Sequence, residues 1–303
     1  MEKIKITFLG TSDMIPTPQR SHTAILLKYK AEDILIDCGE GTQVQFRKAK
    51  LNPCKVTRIL ISHWHGDHVI GLPGLIQTLA QSEYPKTLKI YGPVGTKEYI
   101  KNMLKGFIFG GIEYIKIDIT EINNDGVFID EEDFKIEAYQ LSHRCPVLGY
   151  SFIEKDKTRI DKKKLNKLGI SGKIVGELKK GKNIKIKGKT IKSKDLVYFQ
   201  KGRKISTLFD TGLCKNCYAV AKNADLLISD STFLDKDYKE KAQETEHLTA
   251  KQAAEIAKKG KAKKLFLTHI SQRFHGKEKI LLEEAKKVFK NTELAKDLMI
   301  VEI

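Results

Sequence analysis

The run His63-Trp64-His65-Gly66-Asp67-His68 puts three imidazoles and a carboxylate within six residues, directly after an apolar stretch ending at Ser62. On extended chain His63 and His65 point to the same side, because successive side chains alternate. Gly66 then permits a sharp turn that swings Asp67 and His68 toward a neighbouring point. Two pairs of ligands aimed at adjacent points suit a dinuclear hydrolytic centre, whose cations sit roughly 3.5–4 Å apart. The rival reading is a polar strand-to-helix turn with incidental histidines. Three of only eight histidines beside an aspartate weigh against it.

More ligands must come from elsewhere, and candidates stand where apolar runs end. His143 follows Ala138–Ser142, Asp210 follows Leu208-Phe209, and His269 follows Leu265–Thr268. Sites in α/β proteins gather at strand ends that converge on one edge. Taken singly, each residue is as well explained by an ordinary hydrogen-bonding role. Imidazole and carboxylate ligands suit zinc, with manganese or iron as rivals.

The elements that must carry these residues alternate between short β-rich runs and amphipathic segments. Residues 3–9, 23–29, 33–37, 58–62, 89–91, 115–119 and 134–141 read as strands, with helices over 41–50, 75–82 and 97–104. The continuous apolar core Ile59-Leu60-Ile61 indicates a fully buried strand. A second half echoes this order, with strands at 205–209, 226–228, 264–268 and 299–303 and helices at 250–258 and 279–289. Two sheets with helices outside, an αβ/βα four-layer sandwich of class α/β, fits the pattern.

Charge interrupts that rhythm. Of the net +17, the span from Glu154 to Lys194 carries +12, with 16 Lys or Arg against 4 Asp or Glu, and leaves +5 to the rest. The span holds five glycines and few large apolar residues, too few for a core of its own. It reads as a basic arm over 154–194, inserted between a first half at 1–153 and a second at 195–303. So concentrated a charge points to a polyanion, with nucleic acid first. Lys162, Lys163, Lys164, Lys179 and Lys180 are its candidate contacts.

Composition closes other routes. Met1–Gly10 reads as an opening strand and not a signal peptide. No stretch approaches the roughly 20 apolar residues that cross a bilayer. A cytoplasmic protein without membrane contact is expected. Five cysteines in a chain this long do not make a disulfide scaffold. Cys214-Lys215-Asn216-Cys217, a CxxC without a second pair, reads as packed reduced thiols sooner than as a zinc ribbon or redox site.

The histidine motif, followed in order by His143, Asp210 and His269, resembles the metallo-β-lactamase superfamily. Several stretches resemble the short form of ribonuclease Z within it: Phe8-Leu9-Gly10-Thr11-Ser12, Ile36–Gln43, Gly71-Leu72-Pro73-Gly74-Leu75, Leu141-Ser142-His143-Arg144 and Thr268–Phe274. His247-Leu248-Thr249-Ala250 resembles the family's histidine-threonine motif at a helix start. The resemblance runs almost end to end. It implies one zinc held by His63, His65 and His143, a second by Asp67, His68 and His269, and Asp210 bridging. Asp37 matches an acidic residue that supports the site without ligating. Asp67 is a candidate to orient or deprotonate the attacking water, and His247 to protonate or stabilise the leaving oxygen.

By the same resemblance the substrate is precursor tRNA, the arm grips it, and the assembly is a homodimer. Arg20, Arg144 and Arg273 lie beside motif residues and are candidate phosphate contacts, ion pairs within the fold being the alternative. Two stretches depart from the family. Pro16-Thr17-Pro18-Gln19-Arg20-Ser21 keeps the arginine of Pro-x-Lys-x-Arg-Asn but not its lysine or asparagine. Leu168–Lys173 stands where the arm usually carries Pro-Gly-Pro. Rival functions are another superfamily hydrolase acting on a thioester or small phosphodiester, and a non-catalytic RNA-binding protein.

Overall fold

The computed structural model describes residues 2–107, 115–179, 181–186 and 189–303. The chain divides into two compact units, one of Met1–Ile129, Ile136–Phe152 and Lys204–Ile303, the other of Asp130–Lys135 and Ile153–Arg203.

The larger unit is built on two seven-stranded sheets. The first takes β1 (Ile4–Gly10), β2 (Ala24–Tyr29), β3 (Glu32–Ile36), β4 (Arg58–Leu60), β5 (Thr87–Pro93) and β6 (Lys116–Ile122). The second takes β7 (Gly126–Asp130), β8 (Phe134–Gln140), β9 (Leu148–Glu154), then β14 (Lys204–Leu208), β15 (Leu226–Asp230), β16 (Leu265–Thr268) and β17 (Thr292–Leu294). The final strand β18 (Ile300–Glu302) returns to the first sheet beside β1. β3 through β6 and β14 through β17 pair in parallel, so their strands are covered on both faces. This explains why the sequences ILIS, LLIS and LFLT do not alternate.

Alternation survives in β1 and fixes its facing. Phe8 meets Phe266 of the other sheet at 5.4 Å between ring centres, while Leu9 joins the core under the helices. Tyr29–Phe152 and Tyr91–Phe128 close the sheet-to-sheet interface in the same way. Outside the first sheet lie α1 (Thr42–Lys48), α3 (Gly71–Gln81) and α4 (Thr96–Gly106), with Leu35, Ile59, Ile61, Leu72, Leu75 and Leu79 buried between. Outside the second lie α8 (Lys215–Ala221), α10 (Ala250–Lys259) and α11 (Lys279–Val288), packed on Leu208, Leu227, Leu265 and Leu267. The expected sandwich of two sheets with helices outside is the observed architecture.

Three local differences have simple causes. α3 starts four residues earlier than the pattern predicts, because Pro73 falls in its first turn, where a missing N–H costs nothing. α8 and α9 (Asp235–Thr245) were not expected, since neither carries a long apolar stripe. β9 was also missed. Its run LGYSFIE is buried on both faces and so shows no period.

The smaller unit corrects the expectation of a span without a core. β10 (Lys157–Ile160) pairs with β13 (Val197–Gln200) and β11 (Ile184–Ile186) with β12 (Lys189–Ile191). Leu165 of α5 (Lys162–Lys167), Leu178 of α6 (Lys173–Lys179), Leu196 of α7 (Ser193–Leu196) and Ile170 converge into a small core. These residues are sparse along the chain, and folding collects them. At the base of the unit, the Arg203 guanidinium donates to Glu154 at 2.7 Å, both buried.

Candidate metal centre

β4 is followed by Ser62 and His63 on extended chain, held by Ile61 N–H on the Tyr91 carbonyl and by the Ser62 carbonyl under Leu148 N–H. The short helix α2 (Gly66–Val69) then turns Asp67 and His68 inward, with His65 as its N-cap. Gly66 is not in a left-handed conformation, so the swing comes from the helical turn itself. The glycine this corner requires is Gly71, where a Cβ would meet the Gly39 carbonyl at 1.9 Å. That approach packs the start of α3 onto the strand end carrying Asp37.

The other candidates arrive from strand ends. Asp37 after β3, Asp210 after β14 and His269 after β16 all have positive φ, 57°, 31° and 58°. Asp and His tolerate this region better than most residues, and strain there is held in place only by surrounding structure. Each strand thereby turns a side chain back over its own end.

These turns bring all seven predicted ligands together. Ligand atoms of His63, His65, His143 and Asp210 lie within 4.8 Å of one another, as do those of Asp67, His68, Asp210 and His269. Asp210 is common to both groups. Its carboxylate lies 3.5 Å from His63 Nε2, 3.3 Å from His68 Nε2 and 3.1 Å from His269 Nε2.

Hydrogen bonds behind the rings fix which nitrogen faces inward. His68 Nδ1–H donates to Asp37 at 2.7 Å. His63 Nδ1 meets Ser62 Oγ at 3.0 Å, and that hydroxyl donates in turn to Asp37 at 2.7 Å. His143 Nδ1–H donates to the Glu246 carbonyl at 3.1 Å, a group presented by the left-handed residue that ends α9. His269 Nδ1 meets Thr232 Oγ1 at 2.8 Å, which donates to Asp230 at 2.6 Å. With protons placed on the outer nitrogens, Nε2 is the atom left to face the cluster in His63, His68, His143 and His269. His65 instead turns Nδ1 inward, 3.2 Å from His143 Nε2.

The donor set fits divalent cations. His63 Nε2, His68 Nε2, Asp67 Oδ1 and Asp210 Oδ1 are buried without a well-aligned hydrogen bond, although His68 Nε2 and Asp210 Oδ1 lie in ion-pair contact at 3.3 Å. Such atoms are costly unless a ligand claims them. Electrostatics agree. Burial alone would depress His68 and His269, but Asp210 and the other buried carboxylates raise both well above the usual imidazole range. The same histidines, acting against burial, hold Asp67 and Asp210 below the carboxylate range. Protonated rings thus carry positive charge that a bound cation would supply. His63, His65 and His143 are lowered, chiefly by burial, and are neutral.

His247 stands just before the capping box that starts α10. Its Nδ1–H donates to Asp230 at 3.0 Å, and its ring stacks on His269 at 5.4 Å. Burial opposes protonation of His247, and Asp230 outweighs it. Asp230 was missed in the sequence. It ends β15 as Asp210 and His269 follow their own strands, so the same strand-end signal would have found it. Its oxygens are occupied by Thr232, His247 and Leu248 N–H, which marks it as a supporting group. The Glu246 carbonyl left no sequence signal, because a backbone atom has no residue type.

A cavity of about 400 Å³ opens onto His65, Asp67, His143, Asp210, His247 and His269. Arg144 and Arg273 line it too. Arg273 lies over the Phe233 and Tyr238 rings, at 4.8 and 5.1 Å. Arg20 does not face the cavity. Its guanidinium is buried, donates to Thr11 Oγ1 and the Ala295 carbonyl, and pairs with Glu278 at 3.6 Å, an ion pair within the fold. Lys162, Lys163, Lys164 and Lys179 are exposed on the smaller unit. Lys180 lies outside the described residues. Among the described residues no helix is long and apolar enough to cross a membrane.

Known proteins are similar to this chain in sequence and fold. A family model described as anti-Pycsar protein Apyc1 matches residues 4–153. Over 302 residues the chain is 38% identical to a ribonuclease Z of Methanothermobacter thermautotrophicus, covering 99% of this chain and 97% of that one. The human tRNase Z, short form, superposes with a TM-score of 0.69 at 29% identity and covers 98% of both chains. The metallo-β-lactamase fold protein YhfI of Bacillus subtilis superposes at 0.72 with 20% identity over the whole of both, a likeness of fold alone.

Proposed function

The chain belongs to the ribonuclease Z family, and on that premise we propose that it is an endoribonuclease removing the 3′ trailer from precursor tRNA. The observation that carries this reading is Asp210 shared between the two groups of candidate ligands, its Oδ1 and three buried ligand atoms around it lacking well-aligned hydrogen bonds.

His63, His65 and His143 would hold one cation, Asp67, His68 and His269 the other, with Asp210 touching both. Zinc suits the set, two per subunit, with manganese or iron as rivals. When bound, the pair supplies Lewis acidity that neutralises phosphoryl charge and acidifies water. The residues do the rest. Asp67 orients the water attacking phosphorus or takes its proton. His247, kept protonated by Asp230, gives its Nε2 proton to the departing ribose 3′ oxygen. Arg144 and Arg273, at the cavity wall, pair with phosphates flanking the cut. The products are a 3′-hydroxyl on the tRNA and a 5′-phosphate on the trailer.

The basic span at 154–194 serves as the tRNA-gripping arm, with Lys162, Lys163, Lys164 and Lys179 as its contacts. The working form is a cytoplasmic homodimer. Incubation with an end-labelled precursor tRNA, mapping the cut and both new ends, tests the reading. A 2′,3′-cyclic phosphate end, or no cleavage by the metal-loaded protein, would refute it.

A further inference from the structure

The CxxC lies outside the catalytic constellation but close to it along the chain. Cys214 is the N-cap of α8 and half-buried, and Cys217 is fully buried one turn later. Their sulfurs are 3.5 Å apart. Closing to the roughly 2.05 Å of a disulfide needs only a small movement. The two thiols are also unlike. Cys214 is brought down to about 6 by the hydrogen bond from Cys217, against burial, with help from the Cys217 and Asn216 backbone N–H groups. Cys217 is pushed up by Cys214 and by burial. An accessible low-pKa thiolate beside a buried thiol is the arrangement of an attacking and a resolving cysteine.

The pair is tied to the metal centre through one peptide. The one Cys217 S–H has two acceptors within reach, the Cys214 sulfur at 3.5 Å and the Gly212 carbonyl at 3.7 Å, and serves one of them at a time. Gly212 N–H donates to the Ser142 carbonyl at 2.8 Å, and Thr211 Oγ1 accepts from Ser142 N–H at 3.2 Å. Thr211 and Gly212 follow Asp210, and Ser142 precedes His143. This small bridge therefore joins two candidate ligands from distant parts of the chain.

We propose that Cys214 and Cys217 form a reversible dithiol–disulfide switch that weakens the metal centre when oxidised, acting through Gly212 on Asp210 and His143. The oxidant is a small disulfide of the glutathione class. The Cys214 thiolate attacks one of its sulfurs, forming a mixed disulfide and releasing one thiolate. Cys217 then attacks the Cys214 sulfur, its proton passing to the second departing thiolate. Two cysteine thiols lose two electrons and two protons, and one glutathione disulfide becomes two glutathione thiols. The new bond removes the S–H that Cys214 and Gly212 share and draws Cys214 toward the helix, which loosens the Gly212–Ser142 bridge.

The inference goes beyond the proposed tRNA activity, and its test does not need that activity. The full-length, zinc-loaded protein is equilibrated in glutathione buffers of stepped ratio, then alkylated and weighed intact. The expected product is lighter by two hydrogens before alkylation, takes up two fewer alkyl groups, and reverts with dithiothreitol. C217S should instead stop at a mixed disulfide on Cys214, and C214S should form neither species. Because Cys217 is buried and C217S could fold poorly, the result with half-exposed C214S decides. Zinc affinity of the oxidised protein should fall about tenfold, the scale of losing a supporting contact behind a ligand. C214S should show no such fall. Absence of the intramolecular disulfide overturns the proposal. A disulfide that forms while zinc affinity stays constant overturns the switch.

Discussion

Asp37→Asn tests the supporting layer of the site most directly, because it removes a charge while keeping size and shape. Asp37 is fully buried and accepts three hydrogen bonds, from Ser62 N–H, Ser62 Oγ–H and His68 Nδ1–H, each at 2.7 Å. An amide has one oxygen. Whichever way it is turned, its NH2 group faces at least one of these donors. On the Oδ1 side the NH2 meets Ser62 N–H, which cannot accept; on the Oδ2 side it meets Ser62 Oγ, which can rotate, and His68, which cannot accept without moving a proton to the nitrogen that faces the cluster. A hydrogen bond to a charged group contributes about 1.5–3 kcal/mol. Loss of a group behind a ligating histidine costs about 10–100-fold in metal affinity, the same range in energy. Zinc affinity of D37N should therefore fall about 10–100-fold. Competition against a calibrated chelator measures it, and cleavage should largely return at saturating zinc. Unchanged affinity, or lost cleavage that zinc does not restore while the fold is intact, would refute the argument that Asp37 acts through His68.

Other perturbations separate the remaining roles. H247A should lower cleavage about 10²–10⁴-fold while bound metal is retained, since its task is proton transfer; parallel loss of metal would make it a ligand. Replacing Lys157–Gln200 by a short linker cuts at the paired ends of β10 and β13 and spares the Glu154–Arg203 contact. Precursor tRNA binding should drop and lose its salt dependence while hydrolysis of bis(p-nitrophenyl) phosphate persists; equal loss of both would contradict the division of labour. Metal removal should lower the melting temperature, because zinc at a hundredfold excess over its Kd adds about 2.7 kcal/mol per site; a melting curve indifferent to zinc would argue against the centre. R20A should cost stability more than catalysis, because its guanidinium is buried against Thr11 and Ala295; a stable protein with a tRNA-specific defect would reverse that assignment.

What the amino-acid order determined by itself is local. His63, His65, Asp67 and His68 announce a site because six consecutive residues share one strand end and one turn, so their nearness needs no folded chain. Ile59-Leu60-Ile61 announces a buried parallel strand for the same reason. His143, Asp210 and His269 were legible one step further out, since apolar runs mark strands and chemistry collects where strands stop. Tertiary structure alone decided the rest. It chose the tilt of four of the imidazoles through Asp37, Ser62, Thr232 and a backbone carbonyl at Glu246. It turned Arg20 inward, drew Leu165, Ile170, Leu178 and Leu196 into one small core, and set Cys214 against Cys217 beside the Gly212 bridge. Apart from the pairs Ser62–His63 and Cys214–Cys217, which are neighbours in sequence, these depend on directions and distances between segments far apart in the chain. Residue type and spacing carry no information about such distances until the two sheets pack.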